Sequence, residues 1–246
     1  MAELGGMVAV VTGASAGVGE AIARRMLDDG VTVIAASRSR ADIAGAHWVR
    51  TDVARSADAD ALIAAAVDRH GRIDVLVNNA GVQVEKTIAG TSDEDYDLLM
   101  GVNARGVFNC ARAAVRAMVA GEGGSIINIG SISAGHADHA MAIYNASKGF
   151  VHALTRSIAI DHGADGVRCN AIAPGWIETA MADAAFEVAD DPQAARQSAI
   201  ARHPVGRLGQ PADVAALVSW LASPEAAFVS GSVFTIDGGL TAQSPL

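Results

Sequence analysis

Short runs of valine, isoleucine and alanine recur along the chain, and longer amphipathic segments separate them. The runs are nearly continuous and do not alternate with polar residues, which is typical of strands buried on both faces of a parallel sheet. Alternation of strand and helix with right-handed crossovers predicts a doubly wound α/β sheet with helices on both faces. The seven predicted strands cover residues 7–11, 31–36, 47–50, 73–77, 125–129, 167–172 and 233–236.

The segments between the strands predict helices and a single domain over residues 1–246. Helical periodicity covers residues 17–29, 57–70, 92–102, 104–120, 143–161 and 211–222, with no linker and no internal repeat. Residues 176–208 form the only long stretch without a clear period. A long irregular segment in a compact domain is often a binding loop, so we predict a substrate lid over about 176–208.

Charge and cysteine content exclude several classes of protein. The formal net charge of −9 opposes binding to nucleic acid or to an anionic membrane. Cys110 and Cys169 do not form a Cys-x-x-Cys pair, so neither a disulfide framework nor a thiolate metal site is expected. No signal peptide is evident, and no apolar run approaches the ~20 residues that a membrane span needs. We therefore expect a cytoplasmic protein without a metal site.

A glycine-rich turn follows the first predicted strand, with the sequence TGASAGVG over residues 12–19. Glycine permits positive φ and a close backbone approach, and the helix that follows presents free N–H groups to a phosphate. Such turns also occur without a ligand, but the position directly after the first buried strand favours a dinucleotide site. The candidate cofactor residues here are Gly13, Ser15, Ala16, Gly17, Val18 and Gly19.

The end of the second strand bears on the choice of cofactor. A dinucleotide site for NAD usually carries an acidic residue there to hold the ribose 2′-hydroxyl. This chain has Ser37 and Arg38 instead, and both are candidates to hold a 2′-phosphate. The planar guanidinium suits a 2′-phosphate, so NADP(H) is favoured over NAD(H), which stays possible. The alternative for Arg38 is a solvated loop residue.

Taken together, the motifs resemble the short-chain dehydrogenase/reductase family, in its compact branch of roughly 250 residues. The resemblance runs from about residue 8 to residue 239. In chain order it rests on Thr12-Gly13-x-x-x-Gly17-x-Gly19, Asp52-Val53, Asn78-Asn79-Ala80-Gly81, Asn103, Ser131, Tyr144-x-x-x-Lys148 and Pro174-Gly175-x-x-x-Thr179. It implies a single-domain Rossmann fold with a seven-stranded sheet.

The resemblance also implies how a dinucleotide is held. Asp52 would accept from the adenine amino group, and the backbone of Val53 would contact the ring. Asn79, Ala80 and Gly81 would line the path beside the adenosine ribose. The nicotinamide end would meet Pro174, Gly175, Ile177 and Thr179. Each of these residues alone is also compatible with a cap or a turn.

Tyr144 and Lys148 lie four residues apart on a predicted helix and therefore share a face. A nearby ammonium favours the phenolate, so Lys148 is expected to lower the pKa of Tyr144. Ser131 ends the fifth strand, at the sheet edge where ligands bind in open α/β folds. The alternative is a buried tyrosine that a lysine and a serine merely satisfy.

By resemblance, Tyr144 exchanges a proton with the substrate oxygen, Ser131 holds that oxygen, and Lys148 binds the nicotinamide ribose. Asn103 would hold a water next to Lys148. The expected activity is hydride transfer to a ketone or from a sugar or other secondary alcohol, with a small-molecule substrate. The alternative is a non-catalytic dinucleotide-binding regulator on the same fold. The family also implies a homotetramer, paired through helices 104–120 and 143–161.

Overall fold

A computed structural model describes residues 4–243 and contains one parallel seven-stranded sheet in the order β3-β2-β1-β4-β5-β6-β7. All six neighbouring pairs of strands run parallel. The predicted α/β fold class is thereby confirmed. The strands are β1 (Val8–Thr12), β2 (Thr32–Ser37), β3 (His47–Arg50), β4 (Val75–Asn78), β5 (Gly124–Ile129), β6 (Val167–Pro174) and β7 (Val233–Ile236).

The described residues contain eight α-helices. They are α1 (Gly17–Asp28), α2 (Ser56–His70), α3 (Asp93–Met100), α4 (Val107–Ala120), α5 (Ala142–His162), α6 (Ala180–Glu187), α7 (Pro192–Arg202) and α8 (Pro211–Ala222). Of these, α6 and α7 pack against each other beside the sheet. One apolar core packs α1 and α8 against the sheet through residues such as Met26 and Val218. The other packs α2 and α4 through Leu62 and Met118. Burial of both faces explains why the strands carry continuous apolar runs.

The order of the strands reverses between β1 and β4, which creates a crevice at the carboxyl edge of the sheet. Strand β1 lies between β2 and β4, with Val10 opposite Ile34 on one side and Leu76 on the other. Chain connections leave this point in opposite directions. Open α/β sheets bind their ligands at such a switch point.

The segment predicted as a lid differs in secondary structure from its prediction. Residues 176–208 are not irregular, because they contain the two helices α6 and α7. Thr179 caps α6 by accepting a hydrogen bond from the backbone of Ala182, and Asp191 caps α7 in the same way. Pro192 opens α7 at a position that needs no backbone donor. The caps were readable in the sequence, but the helices are short and their apolar period is weak.

The region predicted as two separate helices is continuous. A π-helical turn, Gly101–Gly106, joins α3 to α4 without a break. π-helical turns are rare and often occur at functional sites. Within residues 4–243, no helix is both long and apolar enough to cross a membrane.

Candidate active site

A cavity of about 550 Å³ lies at the carboxyl edge of the sheet, at the switch point. The ends of β1, β2, β4, β5 and β6 contribute to its wall. Most residues predicted from the sequence line it: Gly13, Ser15, Ala16, Gly17, Val18, Ser37, Arg38, Asp52, Val53, Asn79, Ala80, Gly81, Ser131, Tyr144, Lys148, Pro174, Gly175, Ile177 and Thr179. Gly19 and Asn103 do not line the cavity; Gly19 packs against Gly13 and Asn79, and Asn103 bonds to Val82.

The glycine-rich turn between β1 and α1 has a backbone that only glycine adopts without strain. Gly13 and Gly17 have φ values of 65° and 58°. A side chain on Gly13 would come within 2.8 Å of the Cα atom of Ala80. The turn therefore places bare backbone and the start of α1 against the cavity, an arrangement that fits a dinucleotide pyrophosphate.

Asn79 and Thr12 tie this turn to the neighbouring strand β4. The Asn79 amide nitrogen donates to the carbonyl oxygens of Thr12 and Gly13, at 3.0 and 3.2 Å. The Thr12 hydroxyl accepts from the backbone nitrogens of Asn79 and Ala80, at 3.0 and 3.1 Å. These bonds fix the two strand ends relative to each other. Thr12 was not among the predicted site residues, although it stands first in the motif.

Ser37 and Arg38 line the cavity at the end of β2, but only one of them is free to bind a phosphate. The buried Ser37 hydroxyl donates to the carbonyl of Ser39 at 2.6 Å and accepts from the indole of Trp48 at 3.1 Å. Its proton is therefore engaged in the turn. Arg38 is exposed beside it, and Ser39 also lines the cavity. A phosphate at this end would meet Arg38 first.

Asp52 lies where β3 passes into α2, beside Val53. Its carboxylate accepts from the backbone nitrogen of Ala54 at 3.1 Å, which leaves an oxygen for a further donor. The backbone nitrogen of Asp52 donates to Asp58, at 3.0 Å. Helix α4 supports the other side, because Asn109 donates to the carbonyl of Val53 at 3.0 Å. Asp52 and Val53 are thus fixed in place at the cavity edge.

The catalytic candidates meet where β5 ends and α5 begins. Lys148 is buried, its Nζ donates to the carbonyl of Ile129 at 2.9 Å, and the same Nζ lies 5.6 Å from the centre of the Tyr144 ring. Ser131 is buried and accepts from the backbone nitrogen of Ser133 at 3.1 Å. One turn of helix and one strand end therefore bring all three side chains to the same part of the cavity.

The expected direction of the Tyr144 pKa is wrong for this structure. Burial raises the pKa of Tyr144 above 10, and a side-chain hydrogen bond with Ser131 only partly opposes it. Burial also lowers the pKa of Lys148 to about 8, and its ammonium bonds to a backbone carbonyl. Tyr144 is therefore a neutral phenol near pH 7, ready to give up a proton to a substrate oxygen.

Asn103 lies in the π-helical turn, and its amide is held on three sides. It donates to the carbonyl of Val82 at 2.9 Å and to the Ser147 hydroxyl at 3.2 Å. Its oxygen accepts from the backbone nitrogen of Val82 at 2.9 Å. Gly81 lies between Asn103 and Lys148. A Cβ atom added at Gly81 would be 3.5 Å from the Asn103 side-chain oxygen and 3.8 Å from the Lys148 nitrogen.

The remaining wall of the cavity follows β6. Gly175 packs against Asp237, Ile177 is buried, and the Thr179 side chain approaches Gly17 of the glycine-rich turn. Trp176 stacks on Phe186 of α6, with ring centres 4.9 Å apart. The segment after β6 therefore packs against the glycine-rich turn, and α6 follows this segment directly.

Comparison with known proteins agrees with this geometry. The family model described as Enoyl-(Acyl carrier protein) reductase matches residues 13–241. The 2-(R)-hydroxypropyl-CoM dehydrogenase of Xanthobacter autotrophicus is 40% identical over 96% of this chain and 98% of the relative. The meso-2,3-butanediol dehydrogenase of Serratia marcescens is 36% identical, over 96% and 94%. The structure of the ligand-free aldohexose dehydrogenase from Thermoplasma acidophilum superposes with a TM-score of 0.95, at 34% identity over 100% and 98%.

The chain belongs to the short-chain dehydrogenase/reductase family. It is an oxidoreductase that acts on carbonyl groups and alcohols with a nicotinamide cofactor. The relatives are dehydrogenases and reductases, so they give no support to a non-catalytic regulator.

Proposed function

We propose that the protein is an NADP(H)-preferring reductase of ketones that also oxidises the corresponding secondary alcohols. One observation carries this proposal: Ser131, Tyr144 and Lys148 share a single cavity with the glycine-rich turn. A carbonyl group next to Tyr144 would thus lie beside a bound dinucleotide. We assign the whole of residues 1–246 to one domain, with the segment around α6 and α7 as its substrate lid.

The cofactor would supply or accept the hydride, and the protein would orient the reacting groups. The glycine-rich turn would hold the pyrophosphate, and Asp52, Val53, Asn79, Ala80 and Gly81 would hold the adenosine part. The nicotinamide end would be held by Lys148, Pro174, Gly175, Ile177 and Thr179.

During reduction, Tyr144 would donate its phenolic proton to the substrate oxygen, while the Ser131 hydroxyl holds that oxygen. Lys148 would stabilise the phenolate that remains, because its ammonium lies near the ring. Asn103 keeps the backbone of Val82 in place next to this group. In oxidation, the Tyr144 phenolate, stabilised by the Lys148 ammonium, would accept the proton from the alcohol.

The test of this mechanism is Tyr144→Phe, which removes the proton donor but keeps the ring. General acid catalysis is worth about 10²–10⁴-fold, so turnover of a ketone panel should fall at least a hundredfold. Cofactor affinity, measured by quenching of tryptophan fluorescence, should change less than about threefold. Retained turnover would remove Tyr144 from the proton-transfer role. Tight binding with no turnover even in the wild type would favour the regulator.

The preference for NADP(H) rests on Arg38, which is exposed at the cavity edge and has no carboxylate from β2 beside it. Arg38→Ala should weaken NADPH at least tenfold and NADH less than twofold, because the charge-assisted bond to a 2′-phosphate is lost. Arg40→Ala is the matched control, since Arg40 is also exposed but lies outside the cavity. Equal loss for both cofactors would refute the assignment.

The substrate is a small molecule, and two of the relatives are named for a neutral diol and a neutral sugar. We further propose a homotetramer, because Phe108 on α4 and Phe150 on α5 are exposed, at 41% and 38%. A cytoplasmic location is proposed on the two cysteines, which are buried and free.

A further inference from the structure

Charged side chains divide the cavity into two ends. Arg38 and Asp52 line the end formed by β2 and β3. The end beside Tyr144 is lined by the buried Lys148, which bonds to the Ile129 carbonyl, and by two exposed acids, Glu85 and Asp138. We call the part of the wall that carries Glu85 and Asp138 the mouth of the cavity.

The two carboxylates belong to loops that are joined. Glu85 lies in the segment after β4, and Asp138 lies between β5 and α5. An isolated parallel bridge between Lys86 and Met141 connects the two loops next to these acids. Glu85 also accepts a hydrogen bond from the Gln83 amide at 2.6 Å. The bridge therefore places the two loops that carry these acids side by side.

Two cationic side chains near the mouth are paired with other carboxylates. Lys86 pairs with Asp95. Arg196, next to the Trp176–Phe186 stack, pairs with both Glu178 and Asp183. Within the described residues, neither of these cations pairs with Glu85 or Asp138.

We propose that this mouth selects neutral or cationic carbonyl and alcohol substrates over anionic ones, with Glu85 and Asp138 as the specificity-determining residues. The inference rests on the proposed function, since Tyr144 locates the substrate. Both acids are exposed, so water screens them. For a substrate charge placed about 8 Å from each acid, Coulomb's law in water gives a change of about fivefold in relative rate at low ionic strength. The effect should fade near 1 M salt, where the Debye length is about 3 Å.

The first test compares three ketones of one shape: levulinate, methyl levulinate and 4-oxopentyltrimethylammonium. For wild type at pH 8 and low salt, kcat/KM should rise from anion to neutral ester to cation. In Glu85→Gln/Asp138→Asn, the ratio of anion to ester should rise about fivefold. The matched control Asp68→Asn/Glu225→Gln removes two exposed acids outside the cavity and should leave the ratio unchanged.

A second test is independent of turnover. Met181 lines the cavity and is 44% exposed, whereas Cys110 and Cys169 are buried. A Met181→Cys variant therefore offers one reactive thiol at the mouth. We expect the rate of alkylation by the anionic iodoacetate, divided by the rate with the neutral iodoacetamide, to rise about fivefold when Glu85→Gln/Asp138→Asn is added.

The outcomes distinguish a failure of the charge selection from a failure of the proposed function. Reduction of the ester with no discrimination against levulinate, and no change on neutralisation, would overturn the charge selection but keep the proposed function. If no ketone is reduced, the thiol experiment still decides the charge selection: an unchanged ratio of alkylation rates overturns it. A raised ratio without turnover would support an acidic mouth and count against the proposed function alone.

Discussion

Gly19 offers the sharpest test of how the glycine-rich turn is built. Gly19 is the third residue of α1 and has ordinary helical backbone, so alanine is conformationally acceptable there. Helix propensity alone would make Gly19→Ala stabilising by about 1 kcal/mol. The packing opposes this, because the new methyl group would overlap the Gly13 carbonyl oxygen and the Asn79 amide.

Neither neighbour can move without cost. The Gly13 oxygen is backbone, and the Asn79 amide is held by its bonds to the carbonyls of Thr12 and Gly13. Overpacking of this kind costs about 1–3 kcal/mol, and the loss of one hydrogen bond adds about 1 kcal/mol. After the gain in propensity is subtracted, we expect a net loss of about 1–3 kcal/mol. That corresponds to a melting temperature lower by roughly 2–12 °C.

The assay is urea or thermal unfolding together with fluorescence titration of NADPH. Because the displaced atoms belong to the turn, cofactor affinity should also fall, by about tenfold or more. Gly163→Ala is the control: Gly163 follows the last residue of α5 with helical backbone angles, and a side chain there would meet nothing within 4 Å. It should be neutral or stabilising by up to about 1 kcal/mol. A Gly19→Ala protein as stable as wild type, with unchanged affinity, would refute the packing argument.

Two further predictions concern buried groups. Burial raises the pKa of Cys110 and of Cys169 to about 12, so a thiol reagent at pH 8 should label neither in the native protein and both after denaturation; rapid native labelling would contradict this. Burial lowers the pKa of His152 below 6.5, and the positive charges of Lys148 and Arg156 add to this effect. Because the unfolded chain therefore binds a proton at His152 more tightly than the folded chain, the free energy of unfolding should fall as the pH drops below about 6.5. His152→Gln should reduce this loss, measured as the difference in unfolding free energy between pH 7.5 and 5.5, and an equal loss in both proteins would exclude His152 as its source.

The sequence was most informative where a single physical pattern dominates. The five central strands are buried between layers of helices and must be apolar on both faces, whereas the edge strands β3 and β7 are partly exposed. All seven strands were predicted to within about two residues of their observed bounds. The glycine-rich turn was equally readable, because positive φ at Gly13 and Gly17 requires glycine. Helices α6 and α7 were missed because their amphipathic pattern is weak and only their caps mark them.

Features that depend on three-dimensional surroundings were less accessible. The spacing of Tyr144 and Lys148 placed both on one face of α5, but burial decides the direction of the tyrosine pKa. Ser37 was predicted to face a phosphate, whereas Trp48, eleven residues later, and the carbonyl of Ser39 engage its hydroxyl. The acids Glu85 and Asp138 carry no motif, and only the folded loops bring them to the cavity.

The π-helical turn allows one continuous helix to contact two separate parts of the cavity wall. Asn103 in this turn is tied to Val82 on the catalytic side. Three residues later, Gly106 packs against Val53, where a side chain would come within 2.6 Å of the valine methyl group, and Asn109 donates to the Val53 carbonyl. Because a π-helical turn inserts a residue into the helix, it allows Asn103 to face Val82 while Gly106 and Asn109 face Val53. The same turn thereby links the two parts of the wall that, on the proposed function, hold the nicotinamide and the adenine.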